Sequence, residues 1–268
     1  MSDPRLTPDP ALVTGSTSAR IIRPVVDLCR SPEGPRDRQL LFGETVTVLG
    51  DVDGWSYVQS VKDGYCGHLR SACLGPDQTA THIVSAPATH VYARADFKSA
   101  DRMSLSHASR LRVTDTDGRF ACTSIGYVPL VHLTEITTRG TDPADIAALF
   151  LGTPYLWGGN SRFGIDCSGV VQAALLACGL PCPGDSDMQQ SLGVAADGGY
   201  RRNDLLFWKG HVALVTSADQ LIHANAGAMA CVYEGIEETI HRIETQGDGP
   251  VTAHRRLPSL HSADELAL

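Results

Sequence analysis

No stretch of the 268 residues approaches the roughly 18 consecutive apolar residues of a membrane-spanning helix. Basic residues never run beyond the pairs Arg201-Arg202 and Arg255-Arg256, and the net charge is −8. Neither a nucleic acid nor an anionic membrane is an expected partner of such a surface. The opening Met1 to Pro10 lacks the apolar core of a secretory leader, so a cytoplasmic location is expected. The eight cysteines are dispersed and form no short disulfide framework. Cys178 and Cys182 are the closest pair, and no second pair completes a zinc set, so no metal is expected. No Lys-Ser or Lys-Thr follows the glycines around residue 160, which excludes a phosphate-cradling loop.

What is present is a chain 43 % apolar, enough for ordinary globular cores and long enough for one large domain or two to three small ones. Its most informative stretch runs from Gly152 to Gly179. Pro154, Gly158, Gly159, Asn160 and Gly164 are turn formers, so residues 152–165 are expected to be irregular. From Val170 to Ala177 only Gln172 is polar, the composition of a buried helix. Gly179 follows as a left-handed terminator and Asp166 stands where an N-cap belongs. Cys167 therefore falls in the first helical turn. There the helix dipole favours a thiolate, and unpaired N–H groups are available to a developing oxyanion.

The rest of the chain reads in segments. Residues 1–18, rich in Pro, Ser, Thr and Asp, read as a flexible or wrapping arm. In residues 19–76, Thr45–Leu49 and Trp55–Val58 alternate around the turn pairs Asp53-Gly54 and Asp63-Gly64, a pattern of short strands that suits a small barrel. Residues 77–136 repeat that plan loosely, with Leu111–Val113, Asp117-Gly118 and Phe120–Cys122. In residues 137–258, Asp142 and Pro143 open a helix running to about Leu151, and a short helix begins near Asp185. Strands follow at 204–208, 211–216, 220–224, 230–234 and 251–256. Residues 259–268 form a tail. A helix followed by antiparallel strands is an α+β order.

A nucleophilic cysteine needs a base, and there are ten histidines. His211 opens one strand and His223 lies in the next. In a hairpin the two can sit side by side, with His211 facing Cys167 and His223 orienting it.

Pro154-Tyr155-Leu156-Trp157-Gly158-Gly159 followed by Gly164-Ile165-Asp166-Cys167-Ser168-Gly169 resembles the signature of the NlpC-type cysteine peptidases, papain-like bacterial enzymes that cut cell-wall peptides. Lys209 to Val215 and Leu221 to Ala226 resemble the segments carrying the family's histidine and its third polar residue. Residues 19–76 and 77–136 resemble tandem bacterial SH3-like modules. The resemblance implies a papain-like α+β domain after two small all-β barrels, with Cys167 as nucleophile, His211 as base and acid, His223 as orienting group and Tyr155 as an oxyanion donor. No cofactor is implied. The implied substrate is a murein-derived peptide, L-Ala-γ-D-Glu-diamino acid, cut between γ-D-glutamate and meso-diaminopimelate or L-Lys, in murein peptide recycling. Asp166, Ser168 and Ser186 match substrate-contacting positions, and Glu44 and Tyr65 match residues of the first module that meet a free N-terminal amine. Such members often carry a basic residue where this chain has Gly184. The alternatives are an amidase or acyltransferase of the same fold, or a peptide-binding protein without turnover.

Overall fold

The computed structural model of the chain describes residues 3–258; the 259–268 tail lies outside the described residues. Met1–Thr138 and Asn160–Phe163 group as one unit, and 139–159 with 164 onward as another.

The first unit is built of short antiparallel strands. Residues 17–76 form a seven-stranded sheet. Its central hairpin pairs Thr45–Val52 with Trp55–Ser60. Asp53 (φ 50°) and Gly54 (φ 78°) both take left-handed backbone at its tip, the geometry that matches strand twist in a two-residue turn. Ile21, Leu28, Val46, Val58 and Leu69 are buried beneath it. Residues 82–135 form a five-stranded and a three-stranded sheet over Val84, Val91, Leu105, Leu111 and Val128. The described part of the N-terminal arm wraps rather than hangs free. Cys66 N–H donates to Arg5 O at 2.7 Å and Thr14 N–H to Leu49 O at 2.8 Å, while Asp9 N–H donates to the Tyr57 hydroxyl at 3.0 Å. Backbone bonds to the sheet outweigh what its polar composition suggests.

Among the described residues the second unit carries four helices and a six-stranded sheet. Helix α1, Pro143–Ala148, starts as expected, with Asp142 accepting from Ala144 N–H and Pro143 in the first turn. It stops short of Leu151 because its end tightens into three-residue turns. Helix α2, Cys167–Ala177, has no exposed residue, and Gly179 closes it at φ 78°. Helix α3 is Ser186–Gln189. The sheet runs in the order Val194–Ala195, Ala253–Arg256, Leu205–Trp208, His211–Val215, Gln220–Asn225, Ala230–Gly235. Phe207, Val212, Leu214, Ile222 and Ala224 face a core shared with α1 and α2. Helix α4, Ile236–Gln246, falls in a stretch where the sequence reading assigned no element. Its Ile236, Ile240 and Ile243 cover Leu206, Trp208, Ala213, Val215 and Leu221 on the opposite face.

Candidate active site

The position of Cys167 rests on Asp166. Its Oδ1 accepts from Gly169 N–H at 2.7 Å and from the Ser168 hydroxyl at 3.0 Å, and its Oδ2 accepts from Gly158 N–H at 2.9 Å. One carboxylate thus caps α2 and ties the glycine-rich loop to its first turn. The loop can come this close only because position 169 is glycine: a Cβ there would lie 2.5 Å from Gly159 O. Gly158 takes φ 71°. Cys167 follows the cap in the first turn, 7 % exposed and not disulfide-bonded. Gln189 braces the same turn, donating to Ser168 O and Pro183 O at 3.0 Å each.

Tyr155 lies alongside. Its backbone bridges Ile165, next to the cap residue. Burial, then the nearby Cys167 and Asp166 charges, push its phenol up to about 12. A phenol held in its protonated form is a donor at neutral pH, which is what a developing oxyanion requires.

The histidines come from the sheet. Alternation turns Val212, Leu214, Ile222 and Ala224 toward α2, and by the same period puts His211 and His223 on the other face. His211 opens its strand. Asn225 closes the neighbouring strand and pairs with Ala230, Ala230 bridges Pro154, and Tyr155 bridges Ile165. That chain of neighbours gathers His211, Asn225, Tyr155 and the first turn of α2 at one end of the sheet.

His211 Nε2 lies 2.8 Å from His223 Nδ1, with the rings edge-on at 62°. Burial, with the Arg242 charge acting in the same direction, lowers the His211 pKa, so this imidazole rests neutral and able to accept a proton. His223 is 1 % exposed. Its Nε2 meets Glu234 Oε2 at 3.1 Å and Asn225 Nδ2 at 2.9 Å. Glu234 Oε2 also accepts from Arg242 at 2.6 Å and from the Thr239 hydroxyl at 3.0 Å. The hydrogen bond from His223, with those from Arg242 and Thr239, holds the Glu234 carboxyl down to about 2 against the cost of burial.

Sequence reasoning missed Asn225, Glu234, Arg242 and Gln189. Glu234 pairs with Leu221, two residues from His223 in the strand register. It was therefore findable only with the register in hand. Of the expected substrate-contacting residues, Asp166 and Ser168 are buried and engaged with each other, and half-buried Ser186 opens α3 behind them. Glu44 and Tyr65 belong to the first unit. Both Glu44 oxygens accept from Lys62 Nζ, at 2.8 and 3.0 Å, and Leu41 N–H adds a third bond at 3.1 Å, so this carboxylate's charge is matched by Lys62. Tyr65 is buried, with its N–H donating to Asp63 at 3.2 Å. Among the described residues no cluster of His, Cys, Asp and Glu could hold a metal ion, and no helix is long and apolar enough to cross a membrane.

Residues 152–243 match the NlpC/P60 family, and residues 28–74 match a bacterial dipeptidyl-peptidase SH3 domain. A gamma-D-glutamyl-L-lysine dipeptidyl-peptidase of Bacillus subtilis (strain 168) is 30% identical over 233 residues, 77% of this chain and 78% of that protein. Dipeptidyl-peptidase 6 of Lysinibacillus sphaericus is 26% identical over 229 residues, 75% of this chain and 84% of the relative. The crystal structure of an NlpC/P60 family protein from Bacillus cereus ATCC 10987 superposes with a TM-score of 0.75 at 22% identity, covering 90% of this chain and 100% of that one, so the fold is shared. A capped cysteine, a phenol beside it and a paired imidazole are the parts a thiol hydrolase needs, and with those relatives the chain belongs to the NlpC/P60 family as a cysteine peptidase.

Proposed function

We propose that the protein hydrolyses the bond between γ-D-glutamate and the diamino acid of murein peptides that carry a free N-terminal L-Ala, in cell-wall peptide recycling. The observation that carries the chemistry is the His211–His223 contact at 2.8 Å, at the sheet end that also holds Tyr155 and the Cys167 turn. The bond cleaved is read from the name of the Bacillus subtilis relative, aligned over most of both chains. Residues 19–76 and 77–136 are read as two SH3-like modules preceding the peptidase.

On this reading Cys167 Sγ attacks the γ-carbonyl carbon and its proton passes to His211. The Cys167 N–H and the Tyr155 hydroxyl hold the oxyanion. The C–N bond then breaks as His211 returns the proton to the diamino acid's amine, and water cleaves the thioester. Asp166, Ser168 and Ser186 border the acyl side. Recognition of the L-Ala amine is assigned to Glu44 and Tyr65. Because Lys62 already matches Glu44, an incoming ammonium must take the place of Lys62 at that carboxylate.

The test is incubation of L-Ala-γ-D-Glu-meso-diaminopimelate, and of its L-Lys counterpart, with the protein, products being read by mass. Release of L-Ala-γ-D-Glu and the free diamino acid is expected, and Cys167→Ala should abolish it. An intact peptide after prolonged incubation would overturn the proposal. Equal cleavage of an N-acetylated peptide would remove Glu44 and Tyr65 from amine recognition.

A further inference from the structure

His223 Nε2 has two neighbours that make opposite demands. Glu234 Oε2, at 3.1 Å, is an acceptor and calls for a proton on that nitrogen. Asn225 presents its amide nitrogen at 2.9 Å. That amide cannot turn round at no cost, because its oxygen accepts from Ala228 N–H at 2.7 Å. It therefore offers a donor and calls for a lone pair. A neutral imidazole has one protonated and one bare nitrogen and cannot satisfy both.

The choice propagates. With the proton on His223 Nε2, its Nδ1 is bare and accepts from His211 Nε2–H across the 2.8 Å contact. His211 Nδ1 then carries the lone pair, and His211 is a base. With the proton on His223 Nδ1 instead, His211 Nε2 must accept, and a neutral His211 is protonated on Nδ1, the nitrogen that must take the thiol proton. A hydrogen bond to a charged acceptor is roughly twice as strong as a neutral one, and Arg242 and Thr239 hold the carboxylate in place.

We propose that Glu234 is a positioning residue that sets the tautomer of both histidines, prevailing over Asn225, and so makes His211 the base. This rests on the assignment of His211 and His223 to catalysis. It extends the Cys167–His211–His223 set by a fourth member that touches neither substrate nor nucleophile. When His211 becomes an imidazolium, its Nε2–H already has an acceptor, and the Glu234 charge lies one ring away.

The test uses two substitutions on the full chain. Glu234→Gln keeps an oxygen for Arg242 and Thr239 but lets an amide N–H face His223, so both neighbours of Nε2 become donors. It should lower kcat by about 10²-fold, within the general acid–base range, with KM within about twofold. Asn225→Asp keeps an oxygen for Ala228 N–H while turning the opposing donor into an acceptor. Added to Glu234→Gln, it should restore at least tenfold of the lost kcat. A purely structural network predicts the reverse, since a second change in a damaged network does further harm. Histidine ¹⁵N NMR of the unsubstituted protein reads the tautomers without any turnover: His223 should be protonated on Nε2 and His211 bare on Nδ1. A His223 proton on Nδ1 in that spectrum overturns the proposal, as does a double variant no better than Glu234→Gln. Neither outcome depends on the identity of the peptide. A Cys167→Ala variant that still turned over would refute the catalytic assignment itself while leaving the tautomer measurement standing.

Discussion

Two clusters in the second unit contain the same three kinds of group. In one, Glu234 accepts from His223 and Arg242. In the other, Asp204 accepts from His254 Nε2 at 2.7 Å and from Arg256 at 2.9 and 2.7 Å. Asp204 is 1 % exposed and also takes Arg201 N–H at 3.0 Å. Burial alone raises its pKa, but the bonds from Arg256, His254 and Arg201 prevail and lower it. A carboxylate, an imidazole and a guanidinium thus appear on two parts of one sheet. In the first, the imidazole's other nitrogen leads to a second imidazole, His211. In the second, the side chains cross-link neighbouring strands, Leu205–Trp208 and Ala253–Arg256, which pair in register. A charged triad is therefore a weak sign of catalysis by itself.

The comparison breaks most visibly if the two clusters respond alike to truncation. On the proposed mechanism His211→Ala removes the base, and a loss of kcat/KM of about 10²–10⁴-fold is expected with the urea midpoint nearly unmoved. Asp204→Ala leaves Arg256 and His254 without their buried partner. A lower urea midpoint is expected, with the rate per folded molecule close to that of the parent. Urea melts and active-site titration on the same samples check both. A folded Asp204→Ala protein without activity would erase the distinction between the clusters.

On the same reading a smaller effect separates the two histidines. His223→Ala should cost less in kcat than His211→Ala, because orienting a base contributes only part of what the base supplies. Equal losses would mean that the roles of the two rings are exchanged or inseparable.

How much of this was legible in the sequence follows from the range of each signal. The α2 start was readable because the cap, Cys167 and the glycines lie within a few residues, and local backbone chemistry fixed them: Asp166 caps, Gly158 turns and Gly169 allows the loop to approach. The Asp53-Gly54 hairpin was readable for the same reason. Helix α4 carried the right spacing in Ile236, Ile240 and Ile243, yet its other positions are so polar that the stretch did not stand out. The Glu234 contact depends on strand register, and Glu44 on a lysine eighteen residues away. Pairings of that kind are set by tertiary packing, and no window of sequence contains them.

The smallest expected effect is in pH dependence, and it tests the comparison by sign. Burial, then the Arg242 charge, lowers the His211 pKa, while Glu234 raises it. On the proposed mechanism the neutral ring is the reactive form, and an ordinary histidine titrates near 6.5. A lowered value keeps the base unprotonated further into acid, so the acid limb of kcat/KM should lie below about pH 6.5. Arg242→Gln removes the depressing charge, so the limb should move toward higher pH. Arg256→Gln removes a guanidinium from the other cluster, which has no part in the His211 shift, and the limb should stay where it is while stability falls. Asp204 gives the matching sign for folding. Its lowered pKa contributes stability in full above the unfolded carboxylate value of about 3.9, and that contribution is lost as pH falls through the folded value. In Arg256→Gln the folded value rises, so acid unfolding should begin at higher pH. An acid limb that moved with Arg256→Gln and not with Arg242→Gln would assign the catalytic field to the wrong cluster.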